Sequence, residues 1–120
     1  MTPTKLLLVD DDESNRVTLS ALLEEEGFDV QTAASFAQAR DRIAGAEFDG
    51  ILLDQNLGDG KGTELLPLIR QQQPRAKVVL ISGSVDEPKV VGRGFDARVG
   101  KGAAFPDVLA LVHRVVGPHR

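Results

Sequence analysis

The chain of 120 residues contains no cysteine, no tryptophan and no tyrosine. The lack of cysteine excludes disulfide bonds and thiolate metal sites. An aromatic content of 4% and a formal net charge of −4 argue against direct nucleic-acid binding, which uses basic patches and stacking rings. No apolar run is long enough to span a membrane, and residues 1–4 do not resemble a signal peptide. We therefore expect a cytoplasmic protein without a membrane partner.

What the sequence does contain fits one globular domain. Hydrophobic residues make up 42% of the chain, which lies in the globular range, and 120 residues can bury a single core. No linker, repeat or low-complexity block interrupts the chain. The short runs Glu24–Glu26 and Gln71–Gln73 predict solvated helix ends. We predict a single domain over residues 1–120, with its core between residues 5 and 116.

Short apolar runs predict strands that are buried on both faces of a parallel sheet. Polar residues follow them: Asp10 and Asp11 after Lys5–Val9, Asp54 after Ile51–Leu53, Ser82 after Val78–Ile81, and Lys101 after the weaker strand Ala97–Val99. In open α/β sheets, ligands bind just beyond the carboxyl ends of the strands. The polar side chains are therefore expected to converge at one edge of the sheet.

Carboxylates dominate this predicted edge. Asp10, Asp11 and Asp12 are consecutive, and Asp54 would lie near them if the first and third strands are neighbours. Clustered carboxylates repel one another unless a cation lies among them, and oxygen ligands of this kind suit Mg²⁺. The residues alone leave a structural alternative open, because an Asp after a strand often caps a turn or a helix.

Helical patterns separate the strands. Ser14 is the predicted N-cap of the first helix and Gly27 its stop, and Ser35 is the predicted N-cap of the second helix. The glycine-rich segment Gly58–Gly62 predicts a flexible loop. Alternating strands and helices of these lengths predict βαβ units, a parallel sheet and right-handed crossovers, with five strands and five helices.

The ordered set of polar residues resembles the receiver domain of bacterial two-component response regulators. The acids within Val9–Asp12, followed by Arg16, are similar to the acid-pair motif of that family. Asp54–Gly60 is similar to its phospho-acceptor motif and Leu80–Gly83 to its hydroxyl strand. The resemblance implies a flavodoxin-like, doubly wound, five-stranded parallel sheet in the order 2-1-3-4-5, with helices on both faces.

The resemblance also implies roles for individual residues. Asp54 would accept a phosphoryl group from a phosphohistidine on a sensor histidine kinase or a histidine phosphotransfer protein. Lys101 would pair with one phosphoryl oxygen, and the Ser82 hydroxyl would bond to another. Mg²⁺ would be held by Asp10, Asp11, Asp54 and the backbone carbonyl of Asn56. Such a receiver is a signalling module that catalyses only its own phosphorylation and dephosphorylation, and its downstream partner stays open.

The chain departs from the family pattern at three single positions and in the segment between Ser82 and Lys101. The family usually has proline at the positions of Gly58 and Gly102 and an aromatic residue at that of Arg98. The segment from Ser82 to Lys101 is shorter than usual and contains Pro88 and several glycines, which disfavour a helix. We predict a short or irregular fourth helix and signalling without an aromatic rotamer switch.

Two alternative functions stay open. One is a phosphorylation-independent interaction module on the receiver fold, which the complete acid set argues against. The other is a Mg²⁺-dependent phosphohydrolase that acts on an external substrate. No residue beyond the receiver set indicates a substrate pocket.

Overall fold

The structure is a computed structural model that describes residues 3–83 and 94–117. The strands are β1 Lys5–Val9, β2 Asp29–Ala33, β3 Gly50–Asp54, β4 Asn56–Leu57, β5 Gly60–Lys61, β6 Lys77–Ser82 and β7 Ala97–Gly100. The α-helices are α1 Glu13–Glu25, α2 Phe36–Gly45, α3 Leu66–Gln72 and α4 Phe105–Val116, and a 3₁₀ turn, Gly62–Leu65, precedes α3. None of the described helices is long and apolar enough to cross a membrane.

The main sheet has five strands, all parallel, in the order β2-β1-β3-β6-β7. Since β6 and β7 are its fourth and fifth strands along the chain, this is the predicted order 2-1-3-4-5. Val9 of β1 pairs with Leu53 of β3, and Asp54 pairs with Ile81 of β6. The register therefore brings the carboxyl ends of the central strands to the same level, and the flavodoxin-like prediction is confirmed.

Helices cover both faces of the sheet, which explains why the central strands are continuous apolar runs. Side chains alternate along β1, so that Leu7 and Val9 pack into one core cluster while Leu6 and Leu8 pack into the other. The first cluster includes buried residues of α2 and α3, namely Ala39, Ile43 and Ile69. The second includes buried residues of α1 and α4, namely Leu23, Val108 and Val112.

Helix boundaries correct one of the sequence predictions. The N-cap of α1 is Asp12 and not Ser14, because the Asp12 carboxylate accepts the N–H groups of Ser14 at 2.9 Å and Asn15 at 3.3 Å. The helix thus begins directly after the acidic run. Gly27 follows the helix with φ of 98°, a conformation that favours glycine, and Ser35 caps α2, as predicted.

The second correction concerns Gln73, which was predicted to lie on a solvated helix end. Its side chain is buried, and it bonds to three backbone groups in α2 and in the segment before β3. The amide oxygen accepts the Phe48 N–H at 2.8 Å, and the amide nitrogen donates to the carbonyls of Ile43 at 2.8 Å and Ala46 at 2.7 Å. Gln73 therefore joins the end of α3 to the end of α2 and the entry to β3.

The prediction of a flexible loop at Gly58–Gly62 is also wrong. Its residues contribute to an antiparallel hairpin, in which β4 pairs with β5, and to the 3₁₀ turn that leads into α3. The Asp59 carboxylate at the hairpin tip accepts the N–H groups of Phe36 at 2.7 Å and Ala37 at 3.2 Å. The bond from Phe36 is the main reason why the pKa of Asp59 lies below its usual value. These bonds fasten the hairpin to the first turn of α2.

Gly62 is the tightest point of this segment. A Cβ atom at Gly62 would lie 2.3 Å from the carbonyl oxygen of Asp54, so the backbone itself would have to shift. We expect Gly62→Ala to lower the free energy of unfolding by about 1–3 kcal/mol, the usual cost of overpacking, in urea denaturation followed by circular dichroism. Gly58→Ala is the matched control, because a Cβ there meets nothing within 4 Å. Equal stabilities of the two variants would contradict this packing argument.

Candidate functional site

The carboxyl edge of the main sheet gathers most of the predicted site residues. Asp10 and Asp11 follow β1, Asp54 ends β3, and Lys101 follows β7. Ser82 ends β6 and is buried, and its carbonyl accepts the Lys101 N–H at 2.9 Å. The parallel topology thus converts separate stretches of sequence into one site.

Three carboxylates meet at this edge. Asp10, Asp11 and Asp54 each offer one oxygen, and these oxygens lie within 4.8 Å of one another. Asp54 is 1% exposed and Asp10 is 4% exposed, whereas Asp11 is on the surface. Asp12 is not part of this group, because its carboxylate caps α1. The structure therefore separates the acid pair from its neighbour in the acidic run.

The environment of Asp10 favours a bound cation. Burial raises the pKa of Asp10 most strongly, the Asp12 N–H bond at 2.9 Å lowers it, and the negative charge of Asp54 raises it further. A carboxyl group whose pKa is raised by folding contributes stability below its ordinary pKa. This contribution is lost as the pH rises through the folded-state pKa. Ionisation of Asp10 above that pKa therefore lowers the stability of the fold, and a divalent cation would relieve this cost. The set of carboxylate oxygens fits Mg²⁺.

The backbone beneath Asp10 is fixed by α1. Arg16 donates from Nη1 to the Asp10 carbonyl at 2.9 Å, and the Asp10 N–H donates to the carbonyl of Ala33 at 3.1 Å. Both bonds act on the main chain of Asp10 and do not occupy its carboxylate, whose Oδ1 accepts the Asp12 N–H at 2.9 Å. Arg16 therefore supports the acid pair without neutralising it.

Lys101 forms the only ion pair of the site within the described ranges. Its Nζ lies 2.8 Å from Oδ2 of Asp54, and the lysine side chain is 32% exposed. This hydrogen bond is the main reason why the pKa of Lys101 lies above its usual value. The ammonium thus stays charged at neutral pH and compensates the buried carboxylate.

The two residues that directly follow Asp54 are fixed by hydrogen bonds, and one of them bonds to the Asp54 carboxylate. The Asn56 N–H donates to Oδ1 of Asp54 at 3.2 Å. Gln55 is buried, and its side-chain oxygen accepts the Thr63 N–H at 3.1 Å, while its carbonyl accepts the Gly62 N–H at 2.8 Å. The sequence analysis missed Gln55, because its partners lie seven and eight residues away in a turn that no local sequence pattern predicts.

Arg98 lies where the family usually has an aromatic residue. Its side chain is exposed on β7, so it does not pack inward in this structure. The absence of an aromatic rotamer switch stays a prediction. The predicted short or irregular fourth helix falls mainly on residues 84–93, which lie outside the described residues.

Comparisons with known proteins agree with this geometry. Residues 6–101 match the family model described as the response regulator receiver domain. The chain is 30% identical to the cell cycle transcriptional regulator CtrA of Caulobacter vibrioides over 115 residues, which are 93% of this chain and 50% of CtrA. The chain therefore spans about half the length of CtrA. It covers 17% of the alginate biosynthesis regulator AlgB of Pseudomonas putida.

Solved structures share the fold. A CheY-like receiver domain protein from Methanospirillum hungatei JF-1 superposes with a TM-score of 0.89 and 29% identity, covering 94% of this chain and 93% of that one. A response regulator from Burkholderia pseudomallei contains a phosphorylated aspartic acid, a calcium ion and citrate; its TM-score is 0.81, with 26% identity over 89% of this chain and 65% of that one. The chain therefore belongs to the receiver domain family of two-component response regulators.

Proposed function

We propose that this receiver accepts a phosphoryl group on Asp54 from the phosphohistidine of a sensor histidine kinase or a histidine phosphotransfer protein. The observation that supports this most is the setting of Asp54. Its carboxylate is buried at a strand end, lies 2.8 Å from the Lys101 ammonium and has oxygens of two further acids within 4.8 Å. A carboxylate in such a setting is a recognised nucleophile for phosphoryl transfer.

In the proposed reaction, a carboxylate oxygen of Asp54 forms a bond to phosphorus while the bond from phosphorus to the imidazole nitrogen breaks. The electron pair of that bond stays on the imidazole. Lys101 would move from the carboxylate to a phosphoryl oxygen, and the Ser82 hydroxyl would donate to another. Mg²⁺ held by Asp10, Asp11, Asp54 and the carbonyl of Asn56 would supply charge neutralisation on the phosphoryl oxygens.

The proposal also covers the boundaries of the domain and its cellular location. Residues 1–120 would form a single receiver domain with its core between residues 5 and 116. The domain would work in the cytoplasm and catalyse only its own phosphorylation and dephosphorylation. Phosphorylation would change its surface for a downstream protein or effector domain, with no direct contact to nucleic acid or membrane.

Incubation with acetyl phosphate and Mg²⁺, followed by intact-mass spectrometry, tests this function. We expect a mass gain of one phosphoryl group per chain. A folded protein that gains no phosphoryl group at any donor concentration would refute the proposal and favour a phosphorylation-independent interaction module. Turnover of free phosphate esters would instead favour the phosphohydrolase.

Lys101 should matter more for the response to the phosphoryl group than for its attachment. Beryllofluoride mimics the phosphoryl group, and a charge-assisted hydrogen bond to it is worth about 1.5–3 kcal/mol. We therefore expect Lys101→Ala to weaken beryllofluoride binding by about tenfold or more, and to reduce the amide NMR shift changes that accompany it. Lys77→Ala, at the opposite end of β6, is the control. Identical titrations for Lys101→Ala and the wild type would contradict the assigned role.

A further inference from the structure

A second lysine approaches the phosphorylation site through the hairpin. Lys61 of β5 is the strand partner of Asn56 of β4, and its Nζ donates to the Asn56 side-chain oxygen at 2.7 Å. An ammonium group can only donate, so this bond fixes the Asn56 amide with its oxygen toward Lys61 and its NH₂ group away from it. Asn56 in turn donates its backbone N–H to Asp54 at 3.2 Å. One residue thus separates the ammonium from the acceptor carboxylate.

Lys61 takes part in no ion pair among the residues that the structure describes. Within residues 3–83 and 94–117, the ion pairs join other residues, Arg70 to Asp96 and Lys101 to Asp54. The acids of the same segment are committed to backbone groups. Glu64 accepts the Lys61 N–H at 3.0 Å, and Asp59 accepts the N–H groups at the start of α2. The Lys61 ammonium is therefore held by the Asn56 side chain and not by a carboxylate.

The hairpin holds this charge in place although Lys61 is exposed. Asp59 fastens its tip to α2, and the Gly62 N–H fastens its end to the carbonyl of Gln55 at 2.8 Å. A lysine on such a fixed backbone loses less conformational freedom on making a contact than one on a mobile loop. The fixed hairpin therefore keeps the backbone of Lys61 beside Asn56.

We propose that Lys61 is a positioning residue of the phosphorylation site, which orients the Asn56 side chain and adds a second positive charge to that of Lys101. This inference rests on the proposed phosphorylation of Asp54. Two hydrogen bonds join the ammonium to the Asp54 carboxylate through Asn56, one of 2.7 Å to the Asn56 side-chain oxygen and one of 3.2 Å from the Asn56 N–H to Asp54. The charge attracts anionic phosphodonors and the phosphorylated product, and it repels Mg²⁺.

Because the Lys61 charge attracts phosphodonors but repels Mg²⁺, measuring the binding of both distinguishes a charge effect from a merely structural role. Lys61→Gln removes the charge but keeps an N–H donor for Asn56, Lys61→Arg keeps both, and Lys61→Glu reverses the charge. At saturating Mg²⁺, we expect Lys61→Gln to raise the half-saturating acetyl phosphate concentration about threefold and Lys61→Glu about tenfold. The differences should shrink at 0.5 M salt, roughly where the Debye length falls below about 5 Å. Lys61→Arg should behave like the wild type.

Mg²⁺ binding without any phosphodonor is the second readout. In amide NMR titrations, Lys61→Gln should bind Mg²⁺ about threefold more tightly than the wild type, because a nearby positive charge has been removed. Weaker binding of both Mg²⁺ and donor would indicate a structural role and overturn the proposal, as would values equal to the wild type in both assays. Lys77→Gln is the control for charge at a distance. If the wild type is not labelled at all, the function proposed for Asp54 fails, and the Mg²⁺ titration still decides the role of Lys61.

Discussion

Asp54→Asn is expected to lose labelling by acetyl phosphate, by about 100-fold or more, because an amide lacks the anionic oxygen that attacks phosphorus. The variant should stay folded, since asparagine has nearly the same shape and relieves charge repulsion with the acid pair. Initial rates from intact-mass spectra at saturating Mg²⁺ measure the effect.

Asp12→Asn is the matched control for this experiment. Asp12 lies in the same acidic run, but its side chain caps α1, and asparagine is an equally good N-cap. We expect this variant to be labelled at nearly the rate of the wild type. A gain of one phosphoryl group in Asp54→Asn at an unchanged rate would show that another residue is the acceptor.

Removal of the divalent cation should have an effect of similar size. Addition of EDTA leaves the carboxylates of Asp10, Asp11 and Asp54 without a counter-ion other than Lys101, and it removes charge neutralisation worth several kcal/mol, or about 100-fold in rate. Asp11→Asn should reduce labelling even at saturating Mg²⁺. Asp11 is exposed, so its replacement should not disturb the core.

The same labelling assay and the same Asp12→Asn control apply to the cation. Mg²⁺ titrations followed by amide NMR should show weaker binding for Asp11→Asn and unchanged binding for the control. Full labelling of the wild type in EDTA would contradict a metal-dependent site. Equal labelling of Asp11→Asn and the wild type would exclude Asp11 from it.

The sheet and the placement of its polar edge could be predicted from the sequence, because both depend on local patterns. A buried parallel strand is a continuous apolar run, and the first polar residue after it marks the carboxyl edge. Asp10, Asp54 and Ser82 all follow this pattern. The order of the strands came from the family resemblance, and the structure confirms it.

The contacts that support the site could not be predicted, because their partners are distant in sequence. Asp59 bonds to residues 22 and 23 positions earlier, and Gln73 to groups 25 to 30 positions earlier. The hairpin itself contains two glycines, Gly58 and Gly60, whose permissive backbone gives no sign of order. The N-cap of α1 was predicted as Ser14 and is Asp12 for a different reason, since both residue types cap helices well and the sequence pattern does not choose between them.

These distant contacts show how the site is connected to the rest of the domain. The Asp54 carboxylate accepts the Asn56 N–H, Gln55 bonds to Thr63, and the hairpin that follows Asp54 is joined to α2 through Asp59. The segment that follows Asp54 is therefore joined to the first turn of α2 by hydrogen bonds.

Asp54 itself is proposed to carry the phosphoryl group. Reduction of the labelled protein with borohydride converts a phosphorylated aspartate to homoserine, and peptide sequencing by tandem mass spectrometry locates it. We predict homoserine at position 54, in amounts that follow the mass gain of the intact protein. Homoserine at Asp10, Asp11 or Asp12, with none at position 54, would contradict the account.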